Sequence, residues 1–478
     1  MDLLQIKNGK IVDGQGRPVR LRGTCVGGWM NMENFINGTP GAEHTLRRYM
    51  AEILGPAKAE FFFTRLLDHM LAEEDIAFMK SCGATVVRLP VNYHHFERDA
   101  APYTYLEAGF ERLSRAISWC EKHGLYAILD LHSCAGWQNT DWHCDNDSRH
   151  ALFWVHKDFQ DRFVAFWEEF ARRFNGQPAL AGYNVMNEPV TGTPNGRFQD
   201  GTYVSDWDAL NGLYRRVVTA IRKIDPDHIL FLEGDCFSAL FDGLEPPFAD
   251  NLAYSSHNYT GAGFGPGPYP GDFWGSHWDK AKQEEVFLSA SGTRFAQKHN
   301  VPLWVGEYGS VFHGPPGDLA YRLQAFEDQT DAFERFGAHW TTWTYKDVGV
   351  MSWVYVAPGS DYMRRTEKVR KAKEQLSVDF WEPMATAAPA RDAIRQLAEF
   401  AERVIADPET KVVANRRYLE QTINEVYMGV LLQPVYAKQF QGLSEEEIDG
   451  ALSSFSLAQC RRQEEYLEVL RKFFSRPA

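Results

Sequence analysis

Two short apolar runs each end at a glutamate. Tyr183-Asn184-Val185-Met186-Asn187-Glu188-Pro189 stops at an amide, a carboxylic acid and a proline, and Leu303-Trp304-Val305-Gly306-Glu307-Tyr308-Gly309 stops at an acid, a phenol and a glycine. Each run is too short for a helix and is closed by a turn breaker, so each reads as a buried strand with its carboxyl at the end. Cleavage of a glycosidic bond needs two such groups in unlike protonation states. One acid gives a proton to the leaving oxygen while the other, ionised, attacks or stabilises the anomeric carbon. A lone Glu before Pro is ordinarily a solvated loop carboxylate. Two at matching strand ends, one of them following Asn, favour the chemical reading.

Composition narrows the partner. With 44% hydrophobic and 24% charged residues, the 478-residue chain is an ordinary globular one with a large core. Its formal net charge of -14 opposes nucleic acid and anionic membrane surfaces, so a neutral ligand fits better. The 14 tryptophans offer flat apolar faces that suit sugar rings. The cysteines (25, 82, 120, 134, 144, 236 and 460) are odd in number and never spaced as CxxC, which argues against a zinc knuckle or a disulfide framework. The N-terminus has no basic-then-apolar leader and no run is long enough to span a bilayer. A cytoplasmic protein with reduced thiols, no cofactor and no metal is the expectation.

The elements that would position the two glutamates alternate. Strand-like runs lie at 19–26, 84–89, 125–131, 179–186, 228–233, 251–257, 301–306 and 338–344, with helical patterns at 70–82, 107–123, 157–174, 206–224, 281–299 and 319–336. Eight strands alternating with helices predict a parallel (β/α)8 TIM barrel, preceded by a β-hairpin over 4–22 that turns at Asp13–Pro18. Glu188 then ends the fourth strand and Glu307 the seventh, at the rim where such barrels carry their chemistry. An open doubly wound sheet is disfavoured, because no GxGxxG or Walker-type loop follows an early strand. The catalytic barrel domain is placed at 1–360 and an appended helical region at 361–478. That region has helices at 363–377, 389–405, 411–427 and 444–474, a capping box at Ser444–Glu447 and a break at Asp407-Pro408. These helices are a candidate contact for a homo-oligomer.

Asn187-Glu188-Pro189 and Gly306-Glu307-Tyr308-Gly309, with Arg88, His132, His257, Tyr259 and Trp343 at successive strand ends, resemble glycoside hydrolase family 5, the cellulase-like branch of clan A, over about residues 4–346. Two loops resemble the exo-β-glucanase and glucosylceramidase-like members. They are Gly27-Gly28-Trp29-Met30-Asn31-Met32-Glu33, and Leu131 to Asn139 followed by Asp145-Asn146. The resemblance implies a retaining, exo-acting β-glycosidase that removes one terminal sugar. Glu33, Asp145 and Asn146 would hold the outer hydroxyls of that sugar. Cys25 stands where many relatives carry Asn, and Cys134-Ala135 replaces a small residue followed by Pro. A glucose-like sugar, another pyranose and a furanose, and a glycolipid as the substrate, therefore all stay open.

On the same resemblance Glu307 is the nucleophile, kept ionised by Arg88 and Tyr259, and Glu188 is the general acid and then base. Burial and the charge of Glu307 are expected to raise the proton affinity of Glu188. Asn187 would donate to the sugar 2-hydroxyl, His132 and His257 would bind hydroxyls or orient Glu188, and Trp343 would floor the sugar. Trp29, Trp137 and Trp142 would shape the entrance. Two other classes compete. A metal-dependent barrel hydrolase is prompted by His94, His95, His132, His143 and Asp145, without a His-x-His or HExxH pattern to support it. A non-catalytic carbohydrate-binding barrel is the other, and it gains nothing from paired like charges.

Overall fold

A computed structural model describes residues 1–192, 203–309, 317–379, 388–406 and 416–478. Eight parallel strands close into a barrel: β1 (Arg22–Cys25), β2 (Val86–Asn92), β3 (Tyr126–Ser133), β4 (Leu180–Asn184), β5 (Ile229–Glu233), β6 (Leu252–Asn258), β7 (Leu303–Tyr308) and β8 (His339–Thr342). Each strand pairs with its neighbours in sequence, and β8 pairs with β1.

The helices between strands form because their apolar residues recur at helical spacing. Lys157–Phe174 buries Phe163, Phe166, Trp167, Phe170, Ala171 and Phe174 along one face, and its basic residues Arg172 and Arg173 fall in the last turn, where they complement the helix dipole. Each fully buried aromatic there contributes roughly 1.5–3 kcal/mol. The predicted helix over 281–299 is two helices, Lys280–Ser289 and Ser291–His299, because Ala290 adopts an extended conformation (φ -61°, ψ 143°).

Strand period explains how one barrel interior holds both a core and a site. Side chains two residues apart point the same way. Val86, Ile128, Phe231 and Ala253 fill the lower barrel together with Trp304 and with Leu4 and Ile11 from the N-terminal segment. Two residues further along the same strands stand Arg88, Asp130, Glu233 and Ser255, and then His132 and His257. Apolar packing thus gives way to a buried polar layer at the carboxyl end.

The N-terminal hairpin pairs Gln5–Lys7 with Lys10–Val12 and turns at Asn8-Gly9 (φ 52° and 73°), not at Asp13–Pro18. Asn-Gly supplies the two left-handed residues a tight hairpin needs. Asp13 closes a second turn by accepting from the backbone N–H groups of Gln15 and Arg17.

The C-terminal region has helices Asp361–Leu376, Ala388–Ile405, Arg416–Gln421, Gly429–Ala437, Glu445–Leu452 and Glu464–Phe474, with a π-helical stretch at Thr422–Met428. The capping box at Ser444 is present: its hydroxyl accepts from the N–H of Glu447, whose carboxylate accepts from the N–H of Ser444. Residues 444–474 are not one helix. Cys460–Arg462 leaves the pattern to pair antiparallel with Val354–Val356, an edge that needs backbone partners. Phe474 stacks on Trp340 of β8 at 5.4 Å, and Tyr466 meets Phe326 edge-on, so the tail packs on the barrel. Asp407-Pro408 and residues 411–415 lie outside the described residues. Among the described residues no helix is long and apolar enough to cross a membrane.

Candidate active site

The carboxyl end of the barrel opens into a cavity of about 300 Å³, lined by Glu33, His132, Glu188, His257, Tyr259, Glu307 and Trp343 among others. An oxygen of Glu188 and an oxygen of Glu307 lie within 4.8 Å of one another, with a ring nitrogen of His257 in the same cluster.

Glu307 belongs to β7 and is held from two sides. Tyr259 donates its hydroxyl to Oε2 at 2.9 Å, and Arg88 Nη1 donates to Oε1. Burial and the adjacent charge of Glu307 push the Tyr259 phenol well above its ordinary range, so it remains a donor. Arg88 is wholly buried and its other nitrogens reach Asn187 Oδ1 at 2.7 Å, Asn184 Oδ1 at 2.9 Å and Asp130 Oδ2 at 3.1 Å. The guanidinium fork is thereby locked, and one of its arms is fixed on Glu307.

Glu188 lies just past β4 with φ 47°, a left-handed conformation uncommon outside glycine. Its backbone is pinned on both sides: its N–H donates to Glu233 Oε2 at 2.8 Å and its carbonyl accepts from Asn139 Nδ2 at 3.0 Å. These bonds offset a local strain on the order of 1–3 kcal/mol. His257 Nδ1 meets Oε1 of its carboxyl at 2.6 Å, and His143 Nε2 meets Oε2 at 2.9 Å.

Electrostatics here reverse the expectation for Glu188. Burial alone would raise its proton affinity, but His257 and His143 outweigh it and hold the carboxyl well below its usual range. His257 is pushed well above its ordinary value, because Glu307, Glu233 and Glu188 together overcome the burial that would lower it. The same balance, burial against Glu188, raises His143. The resting proton of the pair therefore sits on the imidazole side. The sequence reading counted the negative charge of Glu307 but not two imidazoles from β6 and the β3 loop.

β6 and β7 slip register between Ser256 and His257, so that His257 pairs with Glu307 itself. Gly306, the residue before Glu307, leaves room for this: a Cβ there would stand 2.6 Å from Ser255 Oγ and 3.2 Å from His257 Nε2.

His132 donates from Nδ1 to Asp130 at 2.7 Å, lies 3.4 Å from Glu33 through Nε2, and stacks on Trp343 at 5.4 Å with rings 6° from parallel. Burial, which would lower it, is outweighed by Asp130, and its pKa is pushed up to about 10. Burial pushes Glu33 up from the usual carboxylate range. Asn187 gives its oxygen to Arg88 and turns its amide toward His132, 3.4 Å away.

Asp145 and Asn146 do not line this cavity. Asp145 accepts from the N–H and ring of His44 and from Asn92, while Asn146 bridges the carbonyls of Asn139 and His150 to the N–H groups of Ser148 and Arg149. Their polar atoms are consumed in shaping the loop after β3. Cys25 and Cys134 are buried too and are not lining residues: Cys25 meets the Gly306 carbonyl close to Arg88 and Glu307, and Cys134 meets Gln138. Trp142 lines the cavity, meeting Phe35 edge-on at 5.8 Å. Trp29 is buried and does not line it. The histidines of the metal reading part company, His94 facing Asp145 and His95 facing Glu43. Among the described residues the cluster with spacing for a cation is Glu188, His257 and Glu307, in which His257 Nδ1 and Glu188 Oε1 are already bonded to each other at 2.6 Å.

Sequence reasoning missed His143 beside Glu188, Glu233 beneath it, Phe237 in the lining, and Gln421 and Glu425 from the C-terminal region. Glu233 could have been found as the acid that ends the fifth strand. His143 drew notice only as a candidate metal ligand, and nothing in the local sequence marks Phe237, Gln421 or Glu425.

A family model described as Cellulase (glycosyl hydrolase family 5) matches residues 60–349. The chain belongs to glycosyl hydrolase family 5. It is 35% identical over 485 residues to a protein named Beta-xylosidase from Phanerodontia chrysosporium, covering 98% of each chain. It is 24% identical over 382 residues to a probable glucan 1,3-beta-glucosidase A from Emericella nidulans, covering 70% of this chain and 87% of the relative. A solved structure titled as a glycoside hydrolase superposes with a TM-score of 0.50 at 21% identity over 69% of this chain and 90% of its own, a likeness of fold. As a family 5 glycoside hydrolase the chain is an enzyme acting on O-glycosyl bonds, and a purely carbohydrate-binding role is set aside.

Proposed function

We propose that this family 5 enzyme is a retaining, exo-acting β-glycosidase that removes one terminal neutral sugar by double displacement. The observation that carries the reading is the approach of a Glu188 oxygen and a Glu307 oxygen to within 4.8 Å, which fits the roughly 5–5.5 Å of retaining pairs better than the roughly 6.5–9.5 Å of inverting ones.

Glu307, oriented by Arg88 and Tyr259, attacks the anomeric carbon and forms a glycosyl ester. The leaving oxygen takes the proton shared by Glu188 and His257. When Glu307 becomes an ester its charge disappears, and that charge is the first of the interactions that raise His257. Glu188, again a carboxylate, takes a proton from water as the water oxygen attacks the anomeric carbon, which breaks the bond to Glu307, frees that carboxylate and releases the sugar with its configuration retained. Trp343 and His132, stacked on each other, present an apolar ring face beside this centre.

Exo action is supported by the cavity volume of about 300 Å³, at the low end of the range for small-molecule sites of roughly 300–1,000 Å³. For the glycone, the relative aligned along 98% of both chains is named a beta-xylosidase, so a β-xyloside ranks first and a β-glucoside second. The test is hydrolysis of a panel of aryl β-glycosides (xyloside, glucoside, galactoside, mannoside, fucoside, arabino- and galactofuranoside) by wild type, Glu188→Gln and Glu307→Gln, with the first-formed anomer followed by NMR. Turnover of one glycoside to the β-anomer, lost in both variants, is expected. An α-anomer as first product, or activity that survives Glu307→Gln, would sink the reading.

A further inference from the structure

The cavity is not built by the barrel alone. Gln421 and Glu425, from a segment well beyond β8, line it together with Asp141 and Trp142 of the loop after β3. They sit four residues apart across the junction of the helix Arg416–Gln421 with the π-helical stretch Thr422–Met428, so both project from one side. Widened π turns of this kind recur at functional sites.

One buried guanidinium organises the group. Arg149 donates from Nη2 to Gln421 Oε1 at 2.7 Å, and from Nη1 to Asp141 Oδ1 at 2.5 Å and Glu425 Oε2 at 3.3 Å. Gln421 is more than nine-tenths buried, and with its oxygen on Arg149 its amide nitrogen has no hydrogen-bond partner among the described residues. At the cavity wall that amide is free to donate to an acceptor that a ligand supplies.

We propose that Gln421, Glu425 and Asp141 form a hydroxyl-binding wall for the terminal sugar, with Arg149 as the positioning residue behind it. This deepens the glycosidase reading and rests on it. Neighbouring hydroxyls on a pyranose each offer one donor and two lone pairs, which an amide N–H and a carboxylate can bind as a pair. The surrounding carboxyls of Glu33, Asp141, Glu188, Glu307 and Glu425 select a neutral glycone over a uronic acid or a sugar phosphate. The wall reaches the sugar from outside the barrel, so the C-terminal region belongs to the substrate site.

The experiment measures kcat, KM and competitive inhibition by the free monosaccharide for the full chain and for Glu425→Gln and Gln421→Ala, using the best aryl β-glycoside of the panel. Glu425→Gln preserves shape and still accepts from Arg149, so its melting temperature is expected to stay near wild type. The expected result is about a ten-fold or greater fall in kcat/KM and a matching rise in the monosaccharide inhibition constant for each variant. Values within two-fold of wild type for both variants would overturn the proposal while leaving the glycosidase intact. A wild type that turns over no β-glycoside would instead overturn the reading beneath it. If Glu425→Gln does not fold, Gln421→Ala alone decides between these results.

Discussion

His257 bonds Glu188 at 2.6 Å through Nδ1 while its Nε2 stands 3.5 Å from Glu233. An imidazolium between acids is the natural holder of the proton that the leaving group must receive, and it titrates as one unit with Glu188. Replacing it by Gln in His257→Gln leaves the proton to Glu188 and His143, without the imidazolium that three acids raise. That pair gives up its proton at lower pH than the wild-type cluster does, so the alkaline limb of the kcat/KM profile is expected to move toward acid. At neutral pH activity is expected to fall by about 10²-fold, in the range for loss of a positioned acid. An alkaline limb unmoved in His257→Gln would remove the histidine from the proton path.

Arg88 is the cation on which Glu307, Asp130, Asn184 and Asn187 converge. Arg88→Met takes away the charge and leaves buried carboxylates uncompensated, which costs about 3–5 kcal/mol. Arg88→Lys keeps the charge but loses the fork that reaches several acceptors at once, so it is expected to recover part of the stability and little of the activity. Denaturant midpoints and kcat on the same preparations check this. Equal stability of wild type and Arg88→Met would show that the network is dispensable.

The barrel and the two glutamates were legible because their signals are local. An apolar run closed by Pro189 or Gly309 marks the ends of the two strands that carry the glutamates, and the alternation of strand-like and helical stretches marks the rest. The exact geometry was not legible, for physical reasons. His143 reaches Glu188 only because the loop after β3 folds back, and Gln421 and Glu425 arrive through tertiary packing of a helix remote in sequence. Asp145 and Asn146 looked available from their types, yet Asp145 is spent on His44 and Asn92 and Asn146 on the backbone of its own loop. The break in 444–474 has the same origin, since the partner of Cys460–Arg462 lies at Val354–Val356.

His132 links the site to stability. Its pKa is pushed up to about 10 by Asp130, above the value of about 6.5 for an unperturbed imidazole. A group raised in the folded state contributes stability that is complete below about pH 6.5 and is lost as pH rises through about 10. The melting temperature of the wild type is therefore expected to fall between pH 7 and 10, and His132→Gln is expected to flatten that fall while starting lower at pH 7. Glu188, held low, acts in the opposite direction and only toward acid pH, whereas His44, His143 and His257 are raised as well, so it is the difference between wild type and His132→Gln that isolates His132. Parallel curves for wild type and His132→Gln would count against a charged His132.

Gly306 offers a test of how tightly the two acids are coupled through space. It does not have a positive φ, so alanine meets no backbone strain there, and the whole effect of Gly306→Ala is contact: 2.6 Å to Ser255 Oγ and 3.2 Å to His257 Nε2. His257 is tied to Glu188 through Nδ1 at 2.6 Å, while its Nε2 faces Glu233 at 3.5 Å without a hydrogen bond. Either the ring tilts off Glu188 or β7 shifts and carries Glu307 with it. Both displace a catalytic group by a fraction of an ångström, enough for a ten-fold or greater loss in kcat alongside about 1–3 kcal/mol of overpacking. Gly337→Ala is the contrast: at φ 92° it strains a helix end remote from the cavity, so it should lower the melting temperature and leave kcat alone. A Gly306→Ala enzyme with wild-type kcat would mean that the ring has slack that these distances do not allow.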